Sequence, residues 1–253
     1  MVEFRLPPGL AEQARQFAAA GGVPVEPRLA STVVLLRPPF EAYLLRRVPT
    51  MAFAASMYVF PGGGVDPRDA TVHPGWAGPS PAQWAERLRL PESVARSVVC
   101  AAVREVFEES GVLLAGADVD TVVGDVSGPE WERARLALIA RELGFAEFLA
   151  DNALVLRSDL LAPWSRWITP EFEPRRFDTY FFVAALPKGQ VPRDVGGEAD
   201  DTVWCAPGEA ADGRFTMLPP TMFTLTELAE AGSIEAALAA ASDRDPADAI
   251  RPV

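Results

Sequence analysis

Long hydrophobic runs are missing from this 253-residue chain. No apolar stretch reaches the roughly 18 residues that a membrane-spanning helix needs, and the amino terminus shows no basic segment followed by an apolar one. The sequence therefore reads as a cytoplasmic protein with no membrane partner. Positive charge is also scarce: 23 Lys and Arg stand against 35 Asp and Glu, a net charge of −12. Proteins that bind nucleic acid collect cations to release counterions, so a DNA or RNA partner is not expected. A small phosphorylated substrate remains compatible, provided its charge is met locally by metal ions and a few arginines. Two cysteines make no disulfide framework and read as reduced, buried thiols. One histidine, His73, has no partner at metal-ligand spacing, so zinc has no support.

What the chain does have is apolar content, 49% of residues, enough for a sizeable core. Prolines are numerous but spread among apolar runs, and no linker divides the chain. We expect an N-terminal extension over residues 1–28, one domain over 29–241 and a polar tail over 242–253. Short β-branched and aromatic runs at 32–37, 42–46 and 57–60 read as strands, the first two joined at Pro38-Pro39. "PAQWAERLR" predicts a short helix, and helical periodicity runs from Glu92 to Ser110, with Pro91 suited to the first turn. One or two further helices are predicted over 129–150, and "ALVLRSDL", "RFDTYFFVAAL" and "DTVWCA" are predicted strands. Thr224-x-x-Glu227 reads as a capping box that opens a helix.

The sharpest signal is Arg104-Glu105-Val106-Phe107-Glu108-Glu109-Ser110-Gly111-Val112. Glu105, Glu108 and Glu109 lie at i, i+3 and i+4, where like charges repel by about 0.2–0.5 kcal/mol per pair. If Gly111 ends the helix, they also sit at its negative end, where an anion costs about 0.3–1 kcal/mol. A divalent cation reverses both signs, and hard carboxylate oxygens suit Mg²⁺ or Mn²⁺. Arg104 can bridge to Glu108. Val99, Val103, Val106 and Phe107 share a different arc, so the apolar and acidic stripes separate. Upstream, Phe60-Pro61-Gly62-Gly63-Gly64-Val65-Asp66-Pro67-Arg68-Asp69 reads as a glycine-rich turn that lets the backbone approach a ligand.

Together these segments resemble the Nudix box, G-x5-E-x7-R-E-U-x-E-E-x-G-U with U aliphatic. Gly63 supplies the first glycine, and residues 104–112 match the second half at every specified position. Asp69 replaces the first glutamate, and residues 70–103 replace the seven-residue spacer. A branch similar to the coenzyme A diphosphatases carries an insertion at this place. The resemblance runs from about Pro27 to Thr221, through "PRLASTVVLLR", "MAFAASMYVFPGGGVD", "WSRWITPEFEPRRFDTYFFVAALP" and "LPPT".

This resemblance implies an α/β fold, a Nudix-type α/β/α sandwich with a mixed central sheet. It also implies metal-dependent hydrolysis of a nucleoside-diphosphate-linked substrate. Coenzyme A or acyl-coenzyme A would give 3′,5′-ADP and (acyl-)4′-phosphopantetheine; NADH or a nucleotide sugar is the alternative, and a non-catalytic nucleotide-sensing module a third. Glu105 and Glu109 would be the main ligands of Mg²⁺ or Mn²⁺, with Glu108 joining directly or through water and Arg104 orienting. Asp69 and Asp66 would hold the loop against the helix, with Gly62 and Gly63 keeping the backbone thin. The base is left open among Glu198, Glu109 and a metal-bound hydroxide. Arg46, Arg47, Arg175 and Arg176 are candidates for binding substrate phosphate, and Trp164 and Trp167 for stacking on a base. The insertion, residues 70–97, contains Trp76 and Trp84 and is expected to fold back as a lid or to form a homodimer contact.

Overall fold

The computed structural model describes residues 8–51, 54–71, 75–193 and 199–252. Helix α1 (Pro8–Ala19) precedes strands β1 (Arg28–Arg37), β2 (Glu41–Arg47), β3 (Tyr58–Val59) and β4 (Gly62–Gly64). Then come α2 (Arg68–Thr71), β5 (Gly75–Ala77), α3 (Pro81–Leu88) and α4 (Glu92–Ser110). The middle of the chain holds β6 (Ala115–Gly116), α5 (Pro129–Ile139), α6 (Phe145–Asp151), β7 (Val155–Arg157), β8 (Ala162–Ile168) and β9 (Phe177–Ala185). The last part comprises β10 (Ala199–Cys205), α7 (Pro207–Glu209), α8 (Pro219–Ala231), α9 (Ile234–Ala240) and β11 (Ala249–Ile250).

The main sheet runs β10-β2-β1-β9-β8-β11, with β3 on β2 and β4 on β1. It is mixed: β1 runs parallel to β9 and β8 parallel to β11, while the other pairs are antiparallel. The continuous apolar runs of β1 and β9 follow from burial on both faces, as expected of central strands. Val33, Leu35, Tyr180 and Phe182 enter one core with α4; Val34, Leu36, Phe181 and Val183 enter the other with Leu225 and Leu228 of α8 and Ala237 of α9. Helices thus cover both faces, the expected α/β/α arrangement. A small sheet, β5-β7-β6, lies apart.

The structure corrects two local expectations. Residues 62–64 are not a turn but a strand, paired with Ala30–Thr32 of β1. The helix near Thr224 begins at Pro219, where two prolines occupy the first turn. Thr224 is interior and buried, and the Glu227 carboxylate accepts from Trp164 Nε1 at 2.8 Å instead of capping. Within the insertion, Trp84 is 1% exposed and packs edge-on against Phe182, 5.9 Å between ring centroids. Helix α3 is therefore a core layer on α4, the folding back expected of the insertion, with Trp84 inside and Trp76 half-buried. The tail is also drawn in, because Ala249–Ile250 pair with β8.

Candidate active site

Helix α4 starts after Pro91 and stops at Gly111, whose φ of 69° is left-handed and whose N–H bonds the Phe107 carbonyl at 2.9 Å. It is buried over most of its length, so its acidic stripe is not a solvated face. The carboxylates instead point at β4 and a cavity of about 1020 Å³ lined by Gly62, Gly63, Gly64, Asp66, Arg104, Glu105, Glu108 and Glu109.

Arg104 organises the acids. Its Nη1 donates to Glu105 at 2.7 Å and Glu108 at 3.2 Å; its Nη2 donates to the Gly64 carbonyl at 2.9 Å and Asp69 at 3.3 Å. The Gly62 N–H donates to Glu109 Oε2 at 2.8 Å. A Cβ on Gly63 would come within 2.5 Å of the Glu105 carboxyl, and one on Gly62 within 2.6 Å of the Ser31 carbonyl. The glycines are needed because strand and helix approach this closely. Asp69 sits behind Arg104, 4% exposed, and accepts from the Asp66 N–H at 3.1 Å. It can stand in for the longer glutamate because α2 brings its backbone near α4.

The electrostatics follow from burial. Loss of water pushes the Glu105 carboxyl up to about 7, with Arg104 opposing the shift and Glu108 adding to it. Glu108 and Asp69 are raised for the same first reason, again with Arg104 opposing. Burial also disfavours the Arg104 cation, but the carboxylates around it outweigh that and hold its pKa above the ordinary value. Asp66, hydrogen-bonded by the Arg68 guanidinium, is held down at about 2. One guanidinium bonded to three carboxylates leaves the cluster, when all three are ionised, with two negative charges in excess. That surplus and the all-oxygen donor set fit a divalent cation. No three His, Cys, Asp or Glu side chains among the described residues converge as a ready-made metal-ligand group, and Arg104 bonds both Glu105 and Glu108.

The expected arginine pairs split. Arg47 and Arg175 line the cavity. Arg46 does not: its Nε donates to Asp200 at 2.7 Å on the edge strand. Arg176 is likewise structural, donating to the Thr169 carbonyl at 3.0 Å and the Val25 carbonyl at 2.7 Å. Trp167 lines the cavity, whereas Trp164 lies beneath Arg244, with 4.0 Å from the guanidinium carbon to the ring centroid. Glu198 and His73 lie outside the described residues. Both cysteines are reduced and buried. Sequence reasoning missed Arg28, Arg68 and Arg141 on the cavity wall. Arg28 opens β1 in register with Phe177, beside Arg175 and Arg176, a long-range pairing that leaves no local signal in the sequence. Phe177, Thr179 and Phe181 alternate along β9 and form part of the cavity floor.

Comparison with known proteins accounts for this arrangement. A solved Nudix hydrolase from Alicyclobacillus acidocaldarius shares the fold, with a TM-score of 0.69 at 24% identity over 85% of this chain and 96% of that one. Human acyl-coenzyme A diphosphatase NUDT19 is 28% identical over 78% of this chain, and the Xenopus laevis protein of the same name 25% over 75%. The chain spans 60–64% of the length of these two relatives. The family model of the NUDT19 Nudix domain matches residues 80–228, more than half the chain and including the whole of α4. The chain belongs to the Nudix hydrolases, in the family of the NUDT19 Nudix domain.

Proposed function

We propose that this chain hydrolyses the diphosphate of coenzyme A or acyl-coenzyme A, releasing 3′,5′-ADP and 4′-phosphopantetheine or its acyl form. The observation that carries the reading is the cavity itself: a buried carboxylate cluster on α4 at one wall and Arg47 and Arg175 at another. The names of the human and frog relatives favour the same substrate class.

Glu105, Glu108 and Glu109 would hold Mg²⁺ or Mn²⁺, and the ion, when bound, supplies positive charge to the phosphate oxygens. The chain's own residues do the rest. Arg104 fixes Glu105 and Glu108, and the Gly62 N–H fixes Glu109. The glycine strand β4 leaves room for a diphosphate beside the carboxylates. Arg47 and Arg175 would meet further phosphate charge, and the half-buried Phe177 would offer apolar surface to a base or to the pantetheine arm. Water adds to one phosphorus of the diphosphate and the bridging P–O bond breaks, leaving one of its two phosphates on each product.

The test is incubation of the pure chain with Mg²⁺ or Mn²⁺ and coenzyme A, acyl-coenzyme A, NADH, ADP-ribose or a nucleotide sugar, with products identified by mass. Cleavage of the coenzyme A compounds to 3′,5′-ADP is expected. Cleavage of only the other conjugates would transfer the same chemistry to another nucleotide substrate. No cleavage of any would favour a sensing module.

A further inference from the structure

We propose that Arg135, acting with Glu132 and Arg193, is a positioning clamp for the carboxylates of α4; the proposal rests on the reading that Glu105, Glu108 and Glu109 hold a divalent ion. The Arg135 side chain is 0% exposed. Its Nη1 donates to the backbone carbonyl of Glu108 at 2.7 Å, and its Nε and Nη2 donate to the two oxygens of Glu132 at 3.0 and 2.5 Å. Glu132 also accepts from Arg193 Nη2 at 3.4 Å. Arg193 returns to the same helix end, where its backbone N–H donates to the Ser110 carbonyl at 2.9 Å. Its guanidinium lies so close beneath Gly111 that a Cβ there would come within 2.9 Å of it.

The last carbonyls of a helix have no partner within the helix. In α4, Gly111 takes the carbonyl of Phe107, Arg135 that of Glu108 and Arg193 that of Ser110. Water or a loop N–H could satisfy such a carbonyl without burying a guanidinium. A cation does something they cannot: it offsets the negative helix end in the same turn that carries Glu108 and Glu109. The clamp grips the backbone of Glu108 itself, so the direction in which that side chain leaves the helix is set from outside α4. Glu132 and Arg135 are i, i+3 on α5, so one helix delivers both. Neither lines the cavity. They act through the α4 carboxylates and not on substrate.

The experiment is Mn²⁺ titrated calorimetrically into the full chain without substrate, alongside steady-state kinetics with coenzyme A. The variants are Arg135→Met, Arg135→Lys and Glu132→Gln, with Glu105→Gln as control. Arg135→Met is expected to weaken Mn²⁺ binding about 10-fold, the scale of lost outer contacts at metal sites, and to lower kcat while KM for coenzyme A stays near wild type. Arg135→Lys keeps the charge but not the fork and should recover part of the affinity. Glu132→Gln leaves Arg135 in place and should give a smaller shift in the same direction; it carries the test if Arg135→Met does not fold. Wild-type Mn²⁺ affinity and kcat in folded variants that differ only in melting temperature would overturn the clamp. If the wild type binds no Mn²⁺, or Glu105→Gln binds it equally well, the metal reading fails first and the clamp falls with it.

Discussion

Arg104 and Arg175 border the same cavity in opposite circumstances. Arg104 is buried, and its two Nη atoms are committed to Glu105, Glu108, Asp69 and the Gly64 carbonyl. Arg175 is exposed and makes no ion pair among the described residues. The first arginine is consumed in arranging acids; the second has its guanidinium open to solvent. The cavity lining thus combines an internally bonded acidic cluster with an exposed arginine; on the proposed function the acidic members, the acidic end, perform the chemistry while the basic members, the basic end, select the substrate. A buried cluster of this kind tolerates little change, because each member that is lost leaves another polar group unmatched.

The largest expected effect is at the acidic end. Glu109→Gln keeps the shape and removes one charge, and if the ion supplies several kcal/mol of stabilisation, kcat should fall by about 100-fold or more. Because the variant also relieves repulsion, the melting temperature of the metal-free protein should stay level or rise. Near-normal turnover at saturating Mg²⁺ would remove Glu109 from the site.

Next in size is Gly63→Ala, whose Cβ must move the Glu105 carboxyl from which it would be 2.5 Å away. Turnover should drop with little change in KM for coenzyme A, since the displaced group is one of the proposed metal ligands and not a phosphate-binding arginine. A rise in KM alone would mean that β4 meets substrate more than it shapes the carboxylates.

At the basic end, the two members of each arginine pair should behave differently. Arg46→Gln loses a solvent-screened pair with Asp200 on the sheet edge, and KM should barely move. Arg47→Gln should raise KM for coenzyme A. Equal KM effects from Arg46→Gln and Arg47→Gln would erase the distinction between the structural and cavity-lining arginines.

The smallest effect concerns Asp66. Its folded pKa of about 2 lies below the ordinary carboxyl value because Arg68 hydrogen-bonds the ionised form. A depressed carboxyl contributes stability that is complete above its unfolded pKa of about 3.8 and is lost as pH falls toward about 2. Asp66→Asn should therefore lower the melting temperature slightly near neutrality and shrink the difference between variant and wild type over that acid window. A constant difference across the window would show that the Asp66–Arg68 pair has no pH-dependent share.

The acidic end was legible in the sequence and the basic end only partly. Arg104, Glu105, Glu108 and Glu109 sit on one helix, where i, i+4 geometry fixes their relation, and mutual repulsion among acids demands an explanation. Both-face burial of β1 and β9 could likewise be read from their continuous apolar runs. Arg46 and Arg47 could not be told apart by composition, because their difference lies in Asp200, a strand partner 154 residues away. Arg28 was passed over because its value comes from the parallel pairing of β1 with β9, a long-range contact with no local pattern. The packing of Trp84 was out of reach for the same reason: its partner Phe182 belongs to a distant strand. Arg135 lies on a helix whose existence was expected, yet its contact with the Glu108 carbonyl depends on how α5 packs against α4.

The most direct test of the division between the two ends is a side-by-side measurement of kcat and KM for coenzyme A and 3′-dephospho-coenzyme A in the wild type, Glu105→Gln and Arg175→Gln. Glu105→Gln should depress kcat on both substrates alike. Arg175→Gln should raise KM for coenzyme A by about one to two decades, as expected for charge-assisted hydrogen bonds of about 1.5–3 kcal/mol, with KM for the dephospho form and both kcat values little changed. A Glu105→Gln enzyme with wild-type kcat, or an Arg175→Gln enzyme equally impaired on both substrates, would contradict the account.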